Sequence, residues 1–378
     1  MRDVDVMIVG AGPSGCAAAY DLAAGGLSVL LLDKQDFPRN KPCAGGLTIK
    51  TLQALRYPVT PVIQRVTNNM LVGLKLDKAQ LFQAGGPVTA MTVRAELDDY
   101  CLRQCTTSGV AFQRIGPITS IKREATGWSL VTDQQTFQAR WLIGADGANS
   151  RVRRLLMPKN HVTYAMAAEA CIPVADPGLF EMEMDFHYVP KGYAWIFPKA
   201  DHLNIGIYSL ESVPKIKTRL IAYCSERLGT QLDPKQIIGH RIPVNGFRYR
   251  HQKDDVMLVG DAAGLADPLC GEGLYNAIRS GQIAARNVLD QVAGNTDSYA
   301  HGIGEITADL GSYHSYTRLF YRFPRLGYRL LCFPLVRYSL MKGFALGWTV
   351  GRILWRFPLL PFYRPPRTPL QPDRTADS

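Results

Sequence analysis

Several residue clusters in this chain have types and spacings that could do chemistry. Gly10-Ala11-Gly12-Pro13-Ser14-Gly15 is a GxGxxG set between an apolar, β-branched run and a helix-forming run. The first glycine permits a tight turn. The second lets the backbone approach a pyrophosphate lying on a helix N-terminus, and the third allows close helix–strand packing. Asp33 ends the next apolar run, where an acid can hydrogen-bond a ribose hydroxyl. Two further motifs each end a strand-like run: Gly144-Ala145-Asp146-Gly147-Ala148-Asn149-Ser150-Arg151 and Gly260-Asp261-Ala262-Ala263-Gly264. The second leads through Asp267-Pro268 to Gly271-Glu272-Gly273-Leu274 at the start of a helix. Asp261 can accept hydrogen bonds from sugar hydroxyls, or act as a turn or capping residue. The free N–H groups near Gly273 and Leu274 can stabilise negative charge. In Gly192-Tyr193-Ala194-Trp195-Ile196-Phe197-Pro198-Lys199, the aromatic residues alternate and share one side of a strand. That pattern suits an apolar ligand wall, and it equally suits an aromatic core. Cys43 sits in the glycine-rich loop Lys41-Pro42-Cys43-Ala44-Gly45-Gly46, where a thiol can donate a proton or simply pack.

The elements that hold these clusters follow from hydrophobic periodicity. Strand 4–9, the glycine turn, a helix and strand 28–34 form a βαβ unit that predicts dinucleotide binding. A loop at 37–47 follows, then strand-like alternation near 72–76 and 87–93, and a helix at 94–109. Short strands come at meander spacing between 111 and 147. The stretch 161–250 is strand-rich, with one helix near 215–228, and a buried strand at 254–264 enters a glycine turn before a helix at 273–292. Beyond about 298 the chain reads as helical, cut into short pieces by Pro324, Pro334, Pro358 and Pro361. There is no internal repeat. No second GxGxxG follows a strand, so the sequence predicts one dinucleotide-binding βαβ unit.

Composition bounds the function. Of 378 residues, 47% are hydrophobic and 20% charged, which excludes wholesale disorder. No window of about 18 apolar residues predicts a transmembrane helix, and the early strand leaves no room for a signal peptide. The eight cysteines (16, 43, 101, 105, 171, 224, 270, 332) form no CxxC pair, so they read as reduced cytosolic thiols with no metal site. The net charge is +11, and ten basic residues fall between Leu310 and Pro372 with no acid among them. They are Arg318, Arg322, Arg325, Arg329, Arg337, Lys342, Arg352, Arg356, Arg364 and Arg367, which leaves the rest of the chain near neutral. These residues interleave with Leu, Phe, Trp and Tyr, which favours a membrane surface over nucleic acid. A basic tail packed on its own body is the other reading. The four arginines from 318 to 329 are spaced as one helical face, although Pro324 and Gly327 argue against one straight helix.

Taken in order, the three Gly/Asp motifs resemble the flavoprotein superfamily of the para-hydroxybenzoate hydroxylase type. The Lys41–Gly46 loop, the Gly192–Lys199 strand and Leu203-Asn204-Ile205-Gly206 narrow the resemblance to the geranylgeranyl reductase family. Ala44 is a mild departure from that family's KPCGG. The resemblance spans roughly residues 4–295. It implies an α/β fold: a Rossmann-like FAD-binding domain of the GR2 type, interleaved with an antiparallel-sheet substrate domain, plus a C-terminal helical segment. The implied FAD-binding domain is discontinuous (1–60, 94–160 and 250–297). The substrate domain is 61–93 and 161–249, and 298–378 is a membrane-facing helical region.

The resemblance further implies FAD as cofactor, reduced by NAD(P)H or another external electron donor. It implies cofactor contacts from Gly10, Gly12, Pro13, Ser14, Gly15, Asp33, Lys34, Cys43, Ala44, Arg94, Ile118, Asp146, Gly147, Asp261, Gly271, Gly273 and Leu274. Cys43, Tyr193 and Trp195 are the expected catalytic residues, and Tyr193, Trp195, Phe197 and Pro198 line the substrate. The implied activity is saturation of carbon–carbon double bonds in a polyprenyl chain on a lipid, quinone or pigment precursor. The enzyme would be cytoplasmic and peripheral on the inner face of the membrane. A flavin monooxygenase or halogenase, and a non-catalytic flavin- or lipid-binding protein, are the alternatives.

Overall fold

The computed structural model describes residues 3–159, 161–251, 255–295, 299–356 and 363. They form two compact units. The first comprises 1–41, 95–165 and 241–314, and the second 42–94, 166–240 and 315–378.

In the first unit, strand Asp3–Val9 lies between Val29–Asp33 and Thr136–Gly144, parallel to both. Ala111–Arg114 extends the sheet beyond Val29–Asp33, and Val256–Leu258 pairs in parallel with Thr136–Gly144. Trp128–Thr132 and Ile118–Arg123 complete it as an antiparallel meander. Strands of a parallel sheet covered on both faces must be apolar on both faces. Val6–Val9 and Val29–Leu32 are accordingly buried at every position. The register places Val9 beside both Leu32 and Gly144, and Gly144 beside Leu258. The carboxyl ends of these strands therefore coincide, and the GAGPSG, GADG and GDAAG turns leave the sheet at one edge. That edge is where an open α/β sheet binds ligand. Helices Pro13–Ala24 and Leu274–Val292 pack through Gly281, whose Cβ, if present, would stand 2.2 Å from Ser14 O.

In the second unit, a seven-stranded sheet runs in the order Ile238–Pro243, Tyr164–Pro173, His202–Ser209, Gly192–Pro198, Met182–Phe186, Asn69–Leu74 and Asp77–Gln83. The pair Met182–Phe186 and Asn69–Leu74 is parallel. Tyr164–Pro173 with His202–Ser209, His202–Ser209 with Gly192–Pro198, Gly192–Pro198 with Met182–Phe186, and Asn69–Leu74 with Asp77–Gln83 are antiparallel. One face forms a core of Ala194, Ile196, Ile205 and Ile207 with Leu220, Tyr223 and Cys224 of helix Ile216–Leu228. A small sheet of Gly46–Thr48, Thr89–Thr92 and Ile63–Thr67 carries the Cys43 loop.

The chain passes from the first unit to the second within helix Tyr299–Arg322. Helices Pro324–Cys332, Pro334–Ala345 and Val350–Trp355 follow. Pro324 and Pro334 each start a helix at a position where the missing N–H costs nothing. Arg318 and Arg322 thus lie on one helix, and Arg325 and Arg329 on the next. These divisions differ from expectation: 161–165 and 241–249 cluster with the first unit and Arg94 with the second. Residues 42–60 cluster with the second unit because Gly46–Thr48 pairs there, and the C-terminal region is shared between the units. Pro358, Pro361, Arg364 and Arg367 lie outside the described residues, as does Asp254 at the head of the expected 254–264 strand.

Candidate active site

The first unit gathers the dinucleotide motifs. Gly10 has φ +109°, and a Cβ there would lie 2.3 Å from Ala145 O, so only glycine fits both the backbone and the neighbouring turn. Gly15 lets the following helix close on Gly10 O, 1.8 Å from where its Cβ would be. Gly12 is the N-cap of the helix and supplies no side-chain cap, and Pro13 follows it. The helix N–H groups are left to a ligand. Asp33 fixes the turn: Oδ2 accepts the Ala11 N–H at 2.8 Å and Oδ1 the Gln35 N–H at 3.0 Å. Each oxygen keeps a second lone pair for a ribose hydroxyl. Lys34 is exposed.

Gly260 stands against Ser14, with 2.9 Å between Ser14 Oγ and a would-be Cβ, so the GD turn lies directly on the GAGPSG turn. The Asp261 carboxylate makes no hydrogen bond within the described residues, and its Oδ1 lies 3.4 Å from where a Gly273 Cβ would be. Gly273 begins helix Leu274–Val292 without a side-chain cap. Asp267 shapes the loop ahead of it, accepting the N–H groups of Leu269, Cys270 and Glu272 at 2.8 Å each, and Gly271 turns there with φ +68°. A free carboxylate beside an uncapped helix start fits a polyhydroxyl chain ending in an electron-rich ring.

Asp146 takes a different position from its neighbours in the motif. Its Oδ1 accepts from Ser150 Oγ at 2.5 Å, and its Oδ2 from the N–H groups of Arg151 and Val152 at 2.6 and 3.1 Å. It therefore organises the Gly147 turn (φ +78°) into helix Arg151–Leu156. Burial pushes its carboxyl up, and these bonds oppose that. Ile118, at the start of its strand, accepts Arg151 Nε through its carbonyl at 3.3 Å. Two arginines were missed by sequence reasoning. Arg153 is buried and donates to Ala262 O at 2.6 Å and Ala148 O at 2.8 Å, tying the two turns together. Arg39, paired with buried Asp98 at 3.1 Å, places Nη2 3.5 Å from where a Gly12 Cβ would be, beside the open helix N-terminus. No spacing rule marks either residue.

The second unit gathers the other set. Trp195 is buried and donates Nε1–H to Asn204 Oδ1 at 2.7 Å. Its indole lies over Gly206, its partner across the strands, 2.2 Å from where a Cβ would be. Tyr193 continues the aromatic face, its ring centroid 5.9 Å from Trp195, 5.3 Å from Tyr208 and 5.7 Å from Phe186. The Phe197 ring covers Gly46 at 3.1 Å from a would-be Cβ, so this face runs onto the Cys43 loop. Pro198 is buried at the strand end.

The loop itself is held from both sides. Glu169 Oε1 accepts the Cys43 N–H at 2.8 Å, and Lys199 Nζ donates to Ala44 O at 2.6 Å. Gly45, at φ +68°, donates its N–H to Cys43 Sγ at 3.4 Å and has Thr92 O and Lys199 Nζ where a side chain would begin. Burial pushes Lys199 down to about 8, and it pushes the Glu169 carboxyl up. Arg94 is buried at the start of helix Arg94–Thr107, and its charge acts on Glu169. Glu169 was not singled out from the sequence, and Lys199 and Asn204 entered only as members of motifs. All three are assembled by cross-strand register, which no local pattern reports.

Residues 3–176 match the family model described as FAD binding domain, which sets the class. An uncharacterized protein of Methanosarcina barkeri is 37% identical over 295 residues, covering 77% of this chain and 76% of its own. The chloroplastic geranylgeranyl diphosphate reductase of Nicotiana tabacum is 29% identical over 313 residues, covering 76% and 67%. The crystal structure of a geranylgeranyl bacteriochlorophyll reductase-like protein from Thermoplasma acidophilum superposes with TM-score 0.70 at 22% identity, covering 95% of this chain and 92% of that one. This chain belongs to the geranylgeranyl reductase family of FAD-dependent oxidoreductases.

Proposed function

We propose that this enzyme saturates carbon–carbon double bonds of a polyprenyl chain while docked on an anionic bilayer. The observation that carries the reading is the aromatic face of buried Tyr193 and Trp195 and half-buried Phe197, continuous with the loop of Cys43. An apolar chain bound there exchanges one apolar setting for another, whereas passage through water costs about 0.8 kcal/mol per methylene. The relative from Nicotiana tabacum, a geranylgeranyl diphosphate reductase, supports the same substrate class.

Bound and reduced, FAD supplies hydride. The uncapped helix at Gly12 would hold its pyrophosphate, Asp33 its ribose and Asp261 its polyhydroxyl chain. The N–H groups from Leu274 onward would stabilise negative charge on its ring. Tyr193, Trp195, Phe197 and Pro198 would orient the alkene and exclude water. Cys43 acts beside the reacting bond, in a loop whose backbone Lys199 and Glu169 clamp. Electrons come from NAD(P)H or another external donor that docks transiently. Halogenation would need an amine free to hold hypohalous acid, and Lys199 Nζ is instead committed to Ala44 O.

For docking, Arg318, Arg322, Arg325 and Arg329 are all exposed, interleaved with exposed Leu319, Phe323, Leu326 and Leu330. No described helix is long and apolar enough to cross a membrane. A surface of arginine and bulky apolar side chains suits an anionic interface. The activity is tested by adding a polyprenyl lipid to the reduced enzyme without oxygen and weighing the product for two added hydrogens per bond.

A further inference from the structure

Glu169 lies across from Gly206, which lies across from Trp195, so the carboxyl and the indole share one face of the sheet. The indole fills the space over Gly206 between them. The Glu169 residue is 7% exposed. Its Oε1 accepts the Cys43 N–H, while Oε2 is buried and has no hydrogen-bond partner within 3.5 Å among the described residues. A buried carboxylate with one oxygen unpaired is costly, and the neutral acid is less so. Burial raises this carboxyl, against the Cys43 N–H, the Asn204 side chain and the charges of Lys199 and Arg94. A carboxylic acid kept neutral by its surroundings is a store for one proton.

An isolated double bond carries no electron-withdrawing group, so its reduction needs an acid as well as a hydride. A buried carboxylic acid that keeps its proton beside the apolar face can supply it. We propose that Glu169 is the proton source for the reduction, with Oε2 holding the proton that one alkene carbon takes. The step balances. The O–H bond of Glu169 and the π bond break, and a C–H bond forms at one carbon. The other carbon receives hydride from reduced FAD, which is oxidised by two electrons. The carboxylate left behind faces the Lys199 and Arg94 charges and regains its proton from solvent.

The inference rests on the polyprenyl reductase reading, and the test separates the two. Glu169→Gln keeps an oxygen for the Cys43 N–H and has no acidic proton. In anaerobic stopped-flow, flavin reduction should be unchanged, while reoxidation of reduced flavin by a geranylgeranyl lipid should slow by about 100-fold. A loss smaller than about tenfold overturns the proton role. A wild-type enzyme that no polyprenyl lipid reoxidises overturns the functional reading and the proton role with it. A second measurement needs neither variant nor turnover. The infrared spectrum of the FAD-loaded wild type at neutral pH should show a carboxylic acid C=O band that moves when glutamate is labelled with carbon-13 at its side-chain carboxyl. If no such glutamic acid band exists, Glu169 is ionised and the inference fails.

Discussion

Glu169 accepts the backbone N–H of Cys43 at 2.8 Å across 126 residues of sequence. With Lys199 on the carbonyl of Ala44, it fixes a loop that has little regular structure of its own. Both clamps are buried, so the loop is held by charge-capable groups where such bonds are strong.

Asp261→Ala should weaken FAD retention. A charged acceptor to a sugar hydroxyl contributes about 1.5–3 kcal/mol, or roughly a 10- to 100-fold rise in Kd. Fluorescence titration of the apoprotein with FAD reads this directly. Wild-type affinity in the variant would remove Asp261 from the site.

Gly206→Ala should dislodge the Trp195 indole, because the new methyl would stand 2.2 Å from the ring. Prenyl-driven flavin reoxidation should fall while flavin reduction holds, and tryptophan fluorescence should change. Equal loss of both half-reactions would deny Trp195 a role as substrate wall.

The fold was legible where its causes are local. The GAGPSG turn after its strand and the breaks in the C-terminal helices at Pro324 and Pro334 follow from backbone chemistry within a few residues. The role of Asp146 as organiser of its own turn was hidden, because the same Asp–Gly spacing suits a cap and a ligand contact alike. Glu169 and Asn204 were illegible as a site because three strands had to pair before they met Trp195 and Cys43. The placement of residues 42–60 was missed for the same reason: strand Gly46–Thr48 finds its partner at Thr89–Thr92, far along the chain.

Stability should depend on pH through Asp185. Burial raises its carboxyl from 3.8 to about 6, helped by Glu183 and opposed by the Leu76 N–H and Arg227. The folded chain binds this proton more tightly than the unfolded chain. The stabilisation is therefore full below the unfolded value and lost as pH rises through about 6. Asp185→Asn should be the more stable form above that point, with the advantage vanishing in acid. Urea midpoints that differ by the same amount at every pH would contradict this.

Replacing Arg318, Arg322, Arg325 and Arg329 with Gln should cut flotation with anionic vesicles while FAD is retained. Each arginine at such a surface contributes about 1 kcal/mol, screened by salt, and the exposed Leu and Phe side chains add an unscreened part. Equal flotation of both proteins would exclude this stripe as the membrane contact.

Polyprenyl reduction is read directly by reducing the FAD-loaded enzyme without oxygen, adding a geranylgeranyl lipid, and following flavin absorbance and product mass together. Oxidised flavin should return in step with a lipid heavier by two hydrogens per bond. Flavin that stays reduced until oxygen is admitted, with the lipid unchanged in mass, would contradict polyprenyl reduction.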